Sequence, residues 1–155
     1  MDPSTKFGKT VERFCLWAEG DHHTLADARR NLLDLMALIA EVKHLRYSGD
    51  TELEFPRRGH PAWVEDLARF GDLPFKYYRV VFDPLDLDST DEPVTGDLHA
   101  DFADIYADLW EGLQAYQSGH IDEAVATWVD SYVIHWGYHA RSALLAIDAQ
   151  FVSYR

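Results

Sequence analysis

The stretch IDEAVATWVDSYVIHWGYHARSALLAID, residues 121–148, decides the fold. Trp128, Tyr132, His135, Trp136, His139, Ala143 and Ile147 recur at intervals of three and four and so share one face of a helix running over about 121–150. Val125, Val129, Val133 and Leu144 make a second apolar face. A helix apolar around most of its circumference must be covered by other helices. The chain is therefore expected to be all-α, a single domain over residues 1–155 in which five or six helices pack around a long C-terminal one.

Working outward, Gly119 ends the preceding helix and Asp122 and Glu123 open the final one, where acids suit the positive end of the helix dipole. That preceding helix starts at Asp97, a good N-cap. It carries Leu98, Phe102, Ile105, Leu109, Leu113 and Tyr116 as an apolar stripe, with Asp101, Asp104, Asp108 and Glu111 as an acidic stripe beside it. Only a few residues join the two helices, so they are expected to lie antiparallel and adjacent. Nearer the N-terminus, Phe7, Val11, Phe14, Cys15 and Ala18 give a helix over 5–19, stopped at Glu19-Gly20-Asp21. Thr24, with Asp27 three residues on, caps a helix whose stripe is Leu32, Leu35, Met36, Ile39 and Val42 and which reaches about Arg46. After a loop over 47–60, Pro61 begins a third helix that Gly71 ends. The segment FKYYRVVFDP, 75–84, has the aromatic and β-branched content of a strand. No second strand presents itself as a partner, so a short helix is expected there. The prolines and acids of 83–97 read as an exposed acidic linker. Asp86, Asp88 and Thr90 only echo a calcium loop, because Asp91 stands where its glycine is needed and Asp97 where its final Glu belongs.

Composition narrows the function. The 155 residues are 47% hydrophobic and 14% aromatic, enough for a substantial core. Residues 1–79 hold 12 Lys/Arg against 13 Asp/Glu, whereas 80–155 hold only Arg141 and Arg155 against 14 acids. Such a field repels phosphate backbones and anionic lipid and attracts cations and basic partners, so nucleic acid and membrane are not expected as partners, a protein partner is possible, and solubility alone is the simpler reading of the charge. The longest apolar runs, such as LMALIA, are far shorter than a membrane span, and MDPSTKFGKTVERF lacks the apolar core of a secretory signal. Cys15, the single cysteine, cannot form an internal disulfide and reads as a small buried hydrophobe in a reduced, cytoplasmic setting.

Chemistry, if present, sits at His135 and His139. Both lie on the core stripe, where an imidazole without a hydrogen-bond partner would cost stability, and the acidic edge of the preceding helix is the nearest supply of partners. Two arrangements satisfy them. Each histidine can bond an aspartate or a carbonyl and lock the helices together. Alternatively, the pair can ligate a divalent transition metal with Asp101, Asp104 or Asp108, giving a metal-dependent hydrolytic site in an aromatic pocket. The HExxH zinc-protease motif is excluded, since Trp136 and Gly137 follow His135. A proton-transfer role is a third possibility. Gly137, within a helix, implies close approach of a backbone or a bulky ring.

An interaction module is the rival to an enzyme. Gly112, Gly119, Ile121, Ala124 and Trp128 fall where a tetratricopeptide-like helix pair places its packing residues, but only one such unit is found and arrays need about three. Tyr47, Trp63, Tyr77 and Tyr78 could form an exposed aromatic patch, although burial is the commoner fate of such rings. Finally, ADFADIYADL at 100–109, Trp128, Tyr132 and HWGYH, with FCLWAE and VFDP at 81–84, resemble an uncharacterised bacterial family, the domain of unknown function numbered 5063. Ala100 and Phe102 depart from a frequent acid and leucine in that family. The resemblance implies an all-helical domain and no particular reaction. The reading is thus an uncharacterised helical cytosolic protein with an acidic interaction domain as its leading function class, and metal binding or metal-dependent hydrolysis at His135, His139, Asp101, Asp104 and Asp108 as the alternative.

Overall fold

The computed structural model describes residues 1–42 and 53–152. Its elements are α1 (Pro3–Glu19), α2 (Leu25–Val42), α3 (His60–Arg69) with a following 3-10 turn (Phe70–Asp72), strands β1 (Tyr77–Val80) and β2 (Val94–Asp97), α4 (Leu98–Gln117), α5 (Ile121–Ser131), a π turn (Tyr132–Trp136) and α6 (Gly137–Val152). Since α5, the π turn and α6 follow one another without a break, the described residues form five helical rods, the last of them long.

Local chemistry sets the helix ends. Asp2 accepts the Thr5 amide at 3.1 Å and Pro3 occupies the first turn, which starts α1 two residues before the expected position. Thr24 Oγ1 accepts from the Asp27 amide at 3.1 Å, as its spacing predicts. The expected end of α2 at Arg46 lies outside the described residues, as does Tyr47. Gly71 falls within the 3-10 turn that closes α3, and Gly119, at φ +88°, ends α4 in the left-handed region.

One sequence expectation is overturned. Residues 77–80 are a strand and not a helix, paired antiparallel with 94–97 in the register Tyr77↔Asp97 to Val80↔Val94. The missing partner was hidden at the end of the acidic stretch, where Val94, Thr95 and Gly96 follow a run of exposed residues. The Tyr78 ring lies over Gly96, where a Cβ would come within 2.3 Å of it, so this glycine is a seat for an aromatic ring. Asp97 ends β2 and caps α4, accepting from the Ala100 amide at 3.1 Å, so the hairpin is fastened directly to the helix that bears the acidic stripe.

The core unites Phe7, Phe14, Leu32, Leu35, Ile39, Phe70, Phe102, Leu109, Trp128, Trp136 and Ile147 with their neighbours. α4 packs against α1, α3, α5 and α6, and α6 also packs against α2. α4 and the C-terminal rod pass close at Gly112, where a Cβ would sit 2.2 Å from Trp128 Nε1. That indole N–H donates to the Leu109 carbonyl at 2.9 Å, and Trp136 donates to the Trp128 carbonyl at 2.9 Å. The tetratricopeptide-like spacing of Gly112 and Trp128 thus reflects one tight helix hairpin. Val133, expected on the second apolar face, is exposed on the π turn together with Ile134. Cys15 is buried in the core, and burial followed by the Glu19 charge pushes its thiol well above the usual range, which leaves it no nucleophilic thiolate. Among the described residues no helix is long and apolar enough to cross a membrane.

Candidate functional site

Asp101, Asp104 and Asp108 stand three and four residues apart and therefore line one edge of α4. The C-terminal rod runs back along that edge, which sets His135 opposite Asp108 and His139 opposite Asp101. His135 Nδ1 donates to Asp108 Oδ2 at 2.7 Å, and His139 Nδ1 donates to Asp101 Oδ1 at 2.7 Å. An ionised carboxylate only accepts, so both rings carry hydrogen on Nδ1 and turn Nε2 away from that bond. His139 Nε2 lies 3.3 Å from Asp104 Oδ2. The two rings meet nearly perpendicular, with centroids 4.8 Å apart.

Two further elements complete the cluster. Trp63 on α3 donates its indole N–H to Asp104 Oδ1 at 2.8 Å, and the Tyr78 hydroxyl on β1 donates to Asp101 Oδ2. Every carboxylate oxygen of Asp101 and Asp104 thus faces a hydrogen-bond donor or an imidazole nitrogen. The fourth acid of the stripe, Glu111, lies outside the cluster and meets Arg57 at 3.1 Å.

The electrostatics follow from burial amid surplus negative charge. Burial raises Asp101, against the pull of its bonds to His139 and Tyr78, and raises Asp108, against the pull of His135. For His139, burial favours the neutral ring, but the Asp101 hydrogen bond and the charges of Asp101, Asp104 and Asp108 outweigh it, so its pKa is raised. Asp101 and His139 are shifted the same way for different reasons, burial for the carboxyl and neighbouring carboxylates for the ring.

The five residues singled out by sequence therefore converge, but in two ranks. One ligand atom from each of Asp104, His135 and His139 lies within 4.8 Å of the others, a spacing that could hold a metal ion. Asp101 and Asp108 sit behind, each on the far nitrogen of a histidine. Trp63 and Tyr78 stood in the sequence as candidates for an exposed aromatic patch, with burial as the other option; nothing in their spacing ties them to Asp104 and Asp101, because they come from elements remote in sequence. Among the described members of that group, Tyr77 alone is largely exposed. The close approach implied by Gly137 comes from its own rod: a Cβ there would lie 2.4 Å from the Tyr132 carbonyl oxygen, brought against it by the π turn. Asp83 and Asp86, near the calcium-loop echo, accept from the Leu85 and Asp88 amides of their own turns.

The family model for DUF5063, a domain of unknown function, matches residues 5–153, a range that includes the acid-edged helix and HWGYH. The chain belongs to the DUF5063 family. A crystal structure of protein BF1032 from Bacteroides fragilis, a structural-genomics target, is similar to this DUF5063 chain with a TM-score of 0.74 and 16% identity, covering 97% of this chain and 91% of that one. At that identity the likeness speaks to the fold alone. No curated protein matches the chain.

Proposed function

We propose that this protein binds a divalent transition metal through His135, His139 and Asp104, with Asp101 and Asp108 orienting the two imidazoles. The observation that carries the reading is the pair of Nδ1–carboxylate bonds at 2.7 Å. Metal-bound histidines are commonly held this way, since the carboxylate fixes the tautomer and makes the opposite nitrogen a better donor. The 3.3 Å between His139 Nε2 and Asp104 Oδ2 is close to the edge of a tetrahedron with bonds of about 2.0 Å. The other separations within the trio are within 4.8 Å, and the His135 side chain is 44% exposed. Three protein ligands beside solvent leave a position for water, the arrangement of hydrolytic metal sites, and the surrounding acids favour a neutral or cationic substrate over a phosphate. Zn²⁺ or Fe²⁺ suits this mixed nitrogen and oxygen set. We place the protein in the cytoplasm, where the lone thiol of Cys15 stays reduced.

Metal analysis of protein purified without a polyhistidine tag tests the reading. The expected result is about one equivalent of a transition metal, lost in His139→Ala and Asp104→Ala, while Glu111→Ala keeps it. Substoichiometric metal in the wild type after incubation with Zn²⁺, or undiminished metal in both ligand variants, would overturn it.

A second reading, an acidic surface that engages a basic protein, is favoured by Phe82, Leu85 and Leu87, all exposed on the acidic connector, with Phe82 packed on Tyr138 beside His139.

A further inference from the structure

We propose that Trp63 is a positioning residue of the metal site, which holds Asp104 so that one carboxylate oxygen, Oδ2, is presented to the ion. The assignment rests on the metal reading, in which Asp104 is the one ligand still without a support. His135 has Asp108 behind it and His139 has Asp101, each bonded at Nδ1. Asp104 is held from another direction: the Trp63 indole N–H donates to its Oδ1 at 2.8 Å, while its Oδ2 stands 3.3 Å from His139 Nε2. All three candidate ligands thus have a hydrogen-bonded support of their own, and for Asp104 it comes from α3, outside the two rods that bear the ligands.

The bond has a definite consequence for the carboxylate. Rotation about the last bond of an aspartate is soft, so an unsupported side chain offers either oxygen, or both. An indole N–H only donates, and it projects in the plane of a rigid ring. Set on Oδ1, that donor fixes the plane of the carboxylate and leaves Oδ2 as the oxygen directed at the histidines. A ligand already in place gives up less conformational freedom when the ion arrives.

Trp63 can hold Asp104 only because α3 is itself anchored. The Trp63 amide closes the first turn of α3 on the Gly59 carbonyl at 3.1 Å. Just ahead of that turn, Arg58 donates to both oxygens of the fully buried Asp66, at 3.0 and 2.8 Å. Its guanidinium lies over two rings of α4, 4.9 Å from the Tyr106 centroid and 5.4 Å from that of Trp110. This clamp sets α3 along the part of α4 that carries Asp104. The Trp63 ring is steadied by stacking on His60, with centroids 5.7 Å apart and planes at 19°.

Zn²⁺ titration of the full chain against a chromophoric chelator tests the assignment. Trp63→Phe keeps a ring beside His60 and removes the N–H; it is expected to weaken Zn²⁺ binding about tenfold or more at unchanged stoichiometry. In an Asp104→Ala background, where the two histidines hold Zn²⁺ only weakly, Trp63→Phe is expected to cost nothing further, whereas a packing role would weaken both backgrounds alike. A measurement on wild type stands whether or not the variant folds: of the five indole N–H resonances, that of Trp63 is expected to shift most, in step with Zn²⁺. Equal Zn²⁺ affinity in wild type and Trp63→Phe, the same loss in both backgrounds, or a Trp63 resonance indifferent to Zn²⁺ would overturn the assignment and leave the metal reading intact. Failure of wild type to bind Zn²⁺ is the separate result that removes both.

Discussion

His139 carries two tasks at one ring. Its Nδ1 holds Asp101 across the helix interface, and its Nε2 faces Asp104. When protonated, the ring is an imidazolium set between two carboxylates, a form that its raised pKa favours, and a metal would have to displace that proton. The proton resonance of the His139 Cε1–H is expected to titrate above the ordinary histidine value of 6.5, and Asp101→Asn is expected to lower that midpoint. A midpoint at or below the ordinary value would deny the bridge. Stability follows with a definite sign. A histidine whose pKa is raised by folding contributes its full stabilisation below the unfolded-state value and loses it as pH rises through the folded-state value. Urea unfolding of chelated wild type should thus lose free energy on the alkaline side of the ordinary histidine range, and His139→Gln should lack that decline. The identity of these residues was legible in the sequence, because two histidines on an otherwise apolar face need partners and the adjacent helix offered a row of acids. The division into Asp104 toward Nε2 and Asp101 and Asp108 toward Nδ1 was not legible, since it depends on ring orientation.

At the scale of the element, the C-terminal rod reads as one helix because its spacing is continuous, yet a π turn divides it. Such a turn adds a residue to one helical turn and so shifts the face presented after it. Tyr132–Trp136 lets Val133 and Ile134 bulge outward while Trp128 and Trp136 both stay buried. Gly137 is where the wider turn closes. In an ordinary helix interior Gly→Ala stabilises by about 1 kcal/mol. Here the new methyl would lie 2.4 Å from the Tyr132 carbonyl oxygen, so Gly137→Ala is expected to destabilise, by roughly 1–3 kcal/mol as for other overpacked sites. Chemical unfolding measures it, and a gain in stability would mean that the turn is not closed against this residue. The hairpin shows the opposite difficulty: each strand has four residues, and the second follows an acidic run whose composition is that of a linker. Periodicity over four residues carries little information, so pairing could not be read locally.

At the scale of the whole molecule, charge and exposed apolar groups coincide on the connector between β1 and β2. Phe82, Leu85 and Leu87 project among Asp83, Asp86 and Asp88, a surface suited to a basic amphipathic segment. Capture of such a protein partner on immobilised wild type is expected to survive chelator, to weaken as salt rises, and to fail with Phe82→Asp combined with Leu87→Asp; capture by the double variant at wild-type level would remove the interaction reading. The same scale separates what each source of information contributes. Amphipathic spacing, capping residues and the order of charged and apolar stripes are local properties, and by themselves they determined that this chain is helical, where most of its core residues lie and that acids stand nearest its histidines. Only the tertiary structure decided that Tyr78 and Trp63 reach those acids and that the acidic run ends in a strand. Contacts between segments far apart in sequence leave no period along the chain, because they are selected by packing among whole elements.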